Sequence, residues 1–139
     1  MNTIDIALRI ATAAHAGQTD RDGHPYILHP LAVGLMGHTD EETAAGFLHD
    51  VAEDTGVTFD EMLREGIPTG VVNALRLLAR SEGTDYYDYI RHIIGSGNPI
   101  ALQVKYNDLQ HNYARGKAWP DLQAKYGRAL EMVKAAIDE

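Results

Sequence analysis

Apolar residues recur at intervals of three and four positions along almost the whole chain of 139 residues. Within residues 3–16, for example, Ile4, Leu8 and Ala11 fall on one face of a helix. Runs that alternate apolar and polar residues between turn signals, the usual sign of β-strands, do not occur in the sequence. The pattern therefore predicts an all-α fold, a compact bundle of several helices that forms one domain over residues 1–139.

Glycines, prolines and capping residues divide this helical pattern into elements. The first helix should stop at Gly17, and residues 17–27 should form the longest loop of the N-terminal half. Asp40 should cap a helix that runs to about residue 54, and Thr58 with Glu61 forms the capping-box pattern of a shorter helix. Other helices should begin near five positions: Pro30, Pro68, Asp85, Pro99 and Pro120.

Composition excludes several classes of function. The chain has no cysteine, which excludes thiol nucleophiles, cysteine metal sites and thiol redox chemistry. A net charge of −8 argues against binding to a nucleic-acid polymer, which usually requires a basic face. No apolar run reaches the roughly 18 residues of a membrane span, so we expect a soluble cytoplasmic protein. A homodimer stays open, because helical periodicity does not separate solvent-facing surfaces from dimer-facing ones.

The stretch FLHDVAED, residues 47–54, places four ionisable side chains in a pattern that otherwise predicts a buried helix. On a continuous helix, His49 would lie beside Glu53 and Asp50 beside Asp54, because residues four apart share a face. Carboxylates this close repel one another, and a divalent cation would compensate them through imidazole and carboxylate ligands. The alternative is a solvated acidic helix end with a core histidine.

Two further stretches extend this group. His29 lies in YILHPL, and Asp108 interrupts the amphipathic pattern of VKYNDLQHN. Each could be an ordinary polar residue. Together with His49 and Asp50, however, they would supply two imidazoles and two carboxylates from three separate elements, with coordination positions left for water and substrate.

Four motifs then carry a resemblance to a known family: AHAGQ, GHPYILHPLAV, AAGFLHDVAEDT and VKYNDLQHN. In this order and spacing they resemble the HD-domain metal-dependent phosphohydrolases, and most of all the hydrolase domain of the RelA/SpoT alarmone enzymes and the small alarmone hydrolases. The resemblance implies an all-α HD fold and one divalent metal of the Mn²⁺ type. It implies four ligands: His29, His49, Asp50 and Asp108.

The resemblance also implies roles for residues around the metal. Glu53 and Asp54 match a pair that positions or deprotonates the attacking water, and Asn112 matches an asparagine that contacts nucleotide. Arg80 would stand in for a lysine that contacts phosphate. Lys105, one turn before Asp108, would either meet substrate phosphate or balance acidic neighbours.

One position departs from the family pattern. Alarmone hydrolases carry an arginine in the first loop that packs on the guanine ring, and Asp20 occupies that position here, with Arg21 one place later. Arg21 could stack on a base through its planar guanidinium. The resemblance favours removal of the 3′-pyrophosphate of (p)ppGpp. The alternatives are another nucleotide, such as NADPH or a nucleoside monophosphate, and a catalytically silent nucleotide-binding module.

Overall fold

The computed structural model of the chain describes residues 1–138. Nine α-helices follow one another along those residues, and the only β-type pairing there is an isolated bridge between Thr19 and Pro25. The helices are α1 Thr3–Ala14, α2 Leu28–Leu35, α3 Asp40–Leu48, α4 Val51–Asp54, α5 Phe59–Arg64, α6 Thr69–Leu78, α7 Tyr86–Ser96, α8 Pro99–Arg115 and α9 Pro120–Asp138. The predicted all-α fold is confirmed. None of the helices within this part of the chain combines the length and apolar character that crossing a membrane requires.

Most helix ends follow from the capping residues. Thr58 and Glu61 form the predicted capping box of α5, and the Asp85 side chain accepts hydrogen bonds from two amides at the start of α7. Pro99 and Pro120 are the first residues of α8 and α9. The predicted cap of α3 is wrong, because Thr39 has the extended backbone of a cap and its hydroxyl accepts the Glu42 amide at 3.2 Å.

The helix predicted to continue from residue 40 to residue 54 is interrupted. It ends at Leu48, and the short α4 begins at Val51. The His49 ring nitrogen Nδ1 lies 2.6 Å from the Gly46 carbonyl oxygen, which in a continuing helix would accept the Asp50 amide. His49 and Asp50 therefore lie at a break, and Glu53 and Asp54 do not simply extend their helical faces.

Helix α3 is the centre of the bundle and packs against α1, α2, α6 and α8. Its contact with α2 is unusually close, because a Cβ built on Gly46 would lie 2.6 Å from the Gly34 Cα. Glycine at both positions thus permits an approach that any other residue would block. As a result, the His29 end of α2 and the His49 end of α3 lie side by side.

Buried apolar side chains from most of the helices surround α3. Leu48 of α3, Leu75 of α6, Ile90 of α7 and Leu109 of α8 are all almost completely buried. Helix α9 packs along α8 and closes the bundle. The polar groups described next lie at the edge of this core, where α2, the α3–α4 break and α8 meet.

Candidate metal centre and active site

The four predicted metal ligands lie together. His29 is in the first turn of α2, His49 and Asp50 form the α3–α4 break, and Asp108 is in the middle of α8. His29 and Asp108 are only 2% and 4% exposed, so their polar atoms need partners within the protein. Three segments that lie far apart in sequence thus place their ionisable side chains at one buried point.

The distances between these side chains define a tight cluster. His29 Nε2 and His49 Nε2 lie 2.8 and 3.2 Å from the same oxygen, Asp108 Oδ1. Asp50 Oδ2 lies 3.0 Å from His49 Nε2 and 3.9 Å from His29 Nε2. One ligand atom each from His29, His49 and Asp50 can be chosen so that all lie within 4.8 Å of one another. The described residues therefore include a His/Asp group that can hold a metal ion.

His49 shows most directly why a cation fits this cluster. Its Nδ1 faces the Gly46 carbonyl oxygen, which can only accept, so Nδ1 carries a proton. In a neutral ring, the buried Nε2 then presents a lone pair towards two carboxylates, with no hydrogen-bond partner among the described residues. Burial lowers the pKa of His49, but the charges of Asp50 and Asp108 raise it well above its ordinary value. The cluster needs a positive charge here, which a proton or a divalent cation supplies.

His111 completes the surroundings of His29. The two Nδ1 atoms are 2.7 Å apart and the rings are stacked, so one nitrogen must donate and the other accept. Burial and the neighbouring His29 lower the pKa of His111 to about 4, which keeps this ring neutral near neutral pH. His29 Nε2 lies 2.8 Å from the ionised Asp108 Oδ1, which can only accept, so Nε2 carries a proton here and His111 donates to His29 Nδ1. A metal ion at Nε2 would replace that proton, and Nδ1 of His29 would then donate to His111.

The two oxygens of Asp108 have different partners. Oδ1 faces the histidines, whereas Oδ2 lies 2.9 Å from the ammonium of the buried Lys105. Burial alone would raise the pKa of Asp108, but Lys105 and His49 lower it well below its ordinary value. Asn112 donates to Oδ1 of the same carboxylate at 3.1 Å. Lys105 therefore balances an acidic neighbour while it also lines the cavity.

Glu53 and Asp54 project from α4 into the same cavity. Glu53 Oε1 accepts the Arg80 backbone amide, and the main-chain oxygen of Asp54 accepts the Gln18 side-chain amide at 3.1 Å. Desolvation and the nearby Asp50 charge raise the pKa of both carboxyl groups, although the Arg80 amide opposes the shift in Glu53. Carboxyl groups with raised pKa values in a cavity are typical of acid–base sites.

Gln18 is itself held by the AHAGQ motif. Its amide nitrogen donates to Asp54, so its oxygen must face His15 Nδ1, which lies 2.9 Å away. The almost fully buried His15 also packs against the Tyr26 ring, with 5.0 Å between ring centres. These contacts fix the loop of residues 17–27 against α4.

The cluster lines a cavity of about 290 Å³. Its walls also carry four cationic side chains, in a chain whose net charge is −8. These are Arg80, Lys105, Arg115 and Lys125. The cavity thus combines a metal-binding group with four cations, and both can attract the phosphates of a ligand.

A second cavity of about 270 Å³ adjoins the first and shares Tyr26, Asn112, Arg115 and Tyr126 with it. Arg21 lines this second cavity, with its guanidinium 5.5 Å from the centre of the Trp119 ring. Arg21 does not line the cavity of the metal-binding group. The predicted substrate residues are thus divided: Arg80, Lys105 and Asn112 line the first cavity, and Arg21 lies in the second.

Asp20 also lines the second cavity, and its two oxygens differ in role. Oδ1 accepts the backbone amides of Asp22 and His24, each at 2.9 Å, and these bonds shape the loop. Oδ2 lies 3.7 Å from Arg115 Nη1. Asp20 thus places a negative charge beside the wall that the two cavities share.

Sequence reasoning missed several residues of the site. The Tyr26 hydroxyl donates to Asp50 Oδ2 at 2.5 Å, and its position three residues before His29 was the available signal. Arg115, Trp119 and Lys125 gave no such signal, because the packing of α9 on α8 brings them to the cavities.

Several known proteins are similar to this chain in sequence or in fold. No protein-family model matches the chain. A probable GTP pyrophosphokinase from Mycobacterium leprae is 31% identical over 96% of the chain and 18% of its own length. A guanosine-3′,5′-bis(diphosphate) 3′-pyrophosphohydrolase from Borreliella burgdorferi is 44% identical over 42% of the chain and 9% of its own length. The Escherichia coli bifunctional (p)ppGpp synthase/hydrolase SpoT is 47% identical over 40% of the chain.

The resemblance to RelA/SpoT proteins is confirmed. The chain spans less than a fifth of the length of these curated relatives. Among solved structures, a metazoan orthologue of SpoT, described as hydrolysing ppGpp, matches 98% of the chain and 85% of its own length with a TM-score of 0.76. At 20% identity, this match shows that the two proteins share a fold.

Proposed function

We propose that the chain is a metal-dependent nucleotide phosphohydrolase that removes the 3′-pyrophosphate of (p)ppGpp to give GDP or GTP and pyrophosphate. The observation that carries the proposal is the meeting of two imidazoles and two carboxylates at one buried point, in a cavity whose wall also carries four cationic side chains. The name of the Borreliella burgdorferi relative supports the choice of reaction.

Four residues would hold one divalent ion: His29, His49, Asp50 and Asp108. This mixed nitrogen and oxygen donor set suits Mn²⁺, Fe²⁺ or Zn²⁺, and Mn²⁺ is the ion that we propose. When bound, such an ion supplies a water of lowered pKa and polarises a phosphoryl oxygen.

Glu53 and Asp54 would act on the attacking water. The Arg80 amide already occupies Glu53 Oε1, so Oε2 is the oxygen of Glu53 left to orient the water or accept its proton. Attack places the water oxygen on the phosphorus next to the ribose 3′ oxygen. The bond between that phosphorus and the 3′ oxygen then breaks, and the 3′ oxygen takes up a proton as the nucleoside diphosphate leaves.

The remaining contacts divide between the two cavities. Arg80 and Asn112 would contact the substrate beside the metal-binding group, and Lys105 would add charge there while it pairs with Asp108. The nucleobase would occupy the second cavity, against the ring of Trp119 and the guanidinium of Arg21. Aromatic rings and arginine planes are the usual partners of an unpaired base.

One observation favours a second candidate function. The Asp20 carboxylate lies in the second cavity, at the position where the family pattern has a guanine-packing arginine. The same hydrolytic centre would then act on another nucleotide, such as NADPH or a nucleoside monophosphate. A catalytically silent nucleotide-binding module is the remaining alternative, and the Glu53–Asp54 pair argues against it.

Hydrolysis assays distinguish these candidates. Purified protein would be stripped of metal and supplied with Mn²⁺, and ppGpp, NADPH and nucleoside monophosphates would be assayed in parallel with products separated by chromatography. We expect Mn²⁺-dependent release of GDP and pyrophosphate from ppGpp. Turnover of another nucleotide alone would establish the second candidate, and binding without turnover of any of them would establish the third.

A homodimer and a cytoplasmic location stay predictions. The proposal includes no nucleic-acid polymer and no membrane as a partner.

A further inference from the structure

Lys125 of α9 lines the cavity of the metal-binding group. The proposed reaction gives this cation no role. Its ammonium lies 4.2 Å from the centre of the Tyr86 ring and 5.6 Å from that of Tyr126. These two rings hold the partly buried side chain at the wall of the cavity. Within residues 1–138, it forms no ion pair with a carboxylate.

The other cations of this cavity already have polar partners. Lys105 is paired with Asp108, and Arg115 donates to the Asn112 side chain at 3.0 Å. The Arg80 guanidinium donates to the Thr84 carbonyl at 2.7 Å. Tyrosine faces attract a cation, but they do not neutralise it as a carboxylate does.

The surroundings of Lys125 oppose its charge. Burial lowers the pKa of Lys125, and repulsion from Arg80, Lys105 and Arg21 lowers it further. An ammonium that is repelled by neighbouring cations and has no anionic partner is stabilised when an anion binds beside it. Held by two rings at the cavity wall and without a carboxylate partner, the Lys125 ammonium is placed to bind an anion.

The position of Lys125 selects which part of a nucleotide it would meet. Next to it, Tyr126 lines both cavities, so this part of the wall lies between the metal-binding group and the second cavity. In the proposed binding mode, the base lies near Trp119 and the reacting phosphate lies at the metal-binding group. The other phosphates of the nucleotide would then lie beside Lys125. We infer that Lys125 binds the non-reacting 5′-phosphate chain of the nucleotide. The inference rests on the proposed function for the placement of the reacting group.

Binding of GDP tests this role without turnover. GDP carries the 5′-diphosphate but lacks the 3′ group, and its affinity would be measured calorimetrically on metal-stripped protein. We expect Lys125→Gln to weaken GDP binding by about tenfold or more, as loss of a hydrogen bond to a charged group does. Lys125→Arg should restore most of the affinity. The matched control is Lys134→Gln, an exposed position on the same helix that lines neither cavity and makes the same change in net charge.

Steady-state kinetics give a second readout that a merely structural role would not produce. Because the 5′-phosphates do not react, their contact should be equally strong in the ground and transition states. Lys125→Gln should therefore raise KM for ppGpp and leave kcat close to the wild-type value.

The possible outcomes separate this inference from the proposed function. Wild-type GDP affinity in Lys125→Gln, an equal loss in Lys134→Gln, or no binding of GDP by the wild-type protein would each overturn the inference. Lys125-dependent GDP binding in a protein that does not hydrolyse ppGpp would overturn the proposed reaction and support the phosphate site.

Discussion

The two adjoining cavities are built in different ways, although they share a wall. The cavity of the metal-binding group takes its reacting side chains from helices and from the short break between α3 and α4, and His29 and Asp108 there are almost fully buried. The second cavity takes most of its own residues from the loop of residues 17–27 and from the connection between α8 and α9. Trp119 in that connection is 41% exposed.

This difference suggests a division of labour. Buried groups on packed helices keep fixed distances, as a reaction centre requires. Loops tolerate substitution more readily, so they can change the selectivity of a site without changing its chemistry. The departure of Asp20 from the family pattern lies in the loop, while the four proposed metal ligands lie on packed helices or at the short break between α3 and α4. The predictions below test this division, from the largest expected effect to the smallest.

Removing Asp108 should have the largest effect. Asp108→Ala deletes the oxygen that both histidines face and leaves the buried Lys105 ammonium without its partner, which costs about 3–5 kcal/mol of stability. We expect loss of bound metal and of all hydrolysis. Metal content after dialysis and thermal unfolding with and without Mn²⁺ measure this, with the exposed Asp60→Ala as control. His49→Ala provides the same test and leaves Lys105 paired with Asp108. If both variants retain metal at wild-type affinity, the proposed ligand set is contradicted.

Glu53→Gln should separate chemistry from metal binding. The amide keeps an oxygen for the Arg80 backbone N–H but cannot accept a proton from water. We expect the variant to keep its metal and to lose about 10² to 10⁴-fold in kcat, which is the usual contribution of a general base. If kcat stays at the wild-type value, the assignment of Glu53 fails, and Asp54→Asn becomes the variant to compare.

Trp119→Ala should affect binding alone. Stacking on an aromatic ring contributes about 1–3 kcal/mol per base, so we expect KM to rise about tenfold while kcat stays nearly constant. Trp119→Phe keeps an aromatic face and should lie close to the wild-type protein. A kcat that falls as far as in Glu53→Gln would show that the second cavity takes part in the chemistry and would break the division proposed here.

Asp20→Asn should have the smallest effect. The substitution keeps an oxygen for the amides of Asp22 and His24 but removes the negative charge 3.7 Å from Arg115. Because an ion pair this close to solvent contributes little, the freed Arg115 should lower KM for ppGpp only about two- to threefold. Steady-state kinetics on ppGpp and NADPH measure the change, and a higher KM for ppGpp would show that the Asp20 carboxylate itself contacts the substrate.

Much of the fold could be predicted from local pattern. The helical spacing predicted an all-α chain, and Thr58, Asp85, Pro99 and Pro120 marked helix starts where the structure has them, whereas α2 begins at Leu28, before the predicted Pro30. Local pattern failed at residues 48–51. There, the His49 side chain hydrogen-bonds to the Gly46 carbonyl, which in a continuous helix would accept a backbone amide. Hydrophobic periodicity does not reveal this competition.

The candidate site was predictable only where its residues lie in motifs. His29, His49, Asp50 and Asp108 each stand out by residue type within an apolar pattern, and the structure brings them together. Lys125 and Trp119 belong to an ordinary amphipathic helix and its preceding turn. Their place at the cavities depends on how α9 packs against α8, which single-sequence periodicity does not determine.

The most direct test of the account is a Mn²⁺ titration of metal-stripped protein, with bound metal and ppGpp hydrolysis measured on the same samples. We expect both to rise together and to saturate at one ion per chain, with GDP and pyrophosphate as products. Hydrolysis that persists without bound metal, or full occupancy without turnover of ppGpp, would contradict a metal-dependent alarmone hydrolase built on these four side chains.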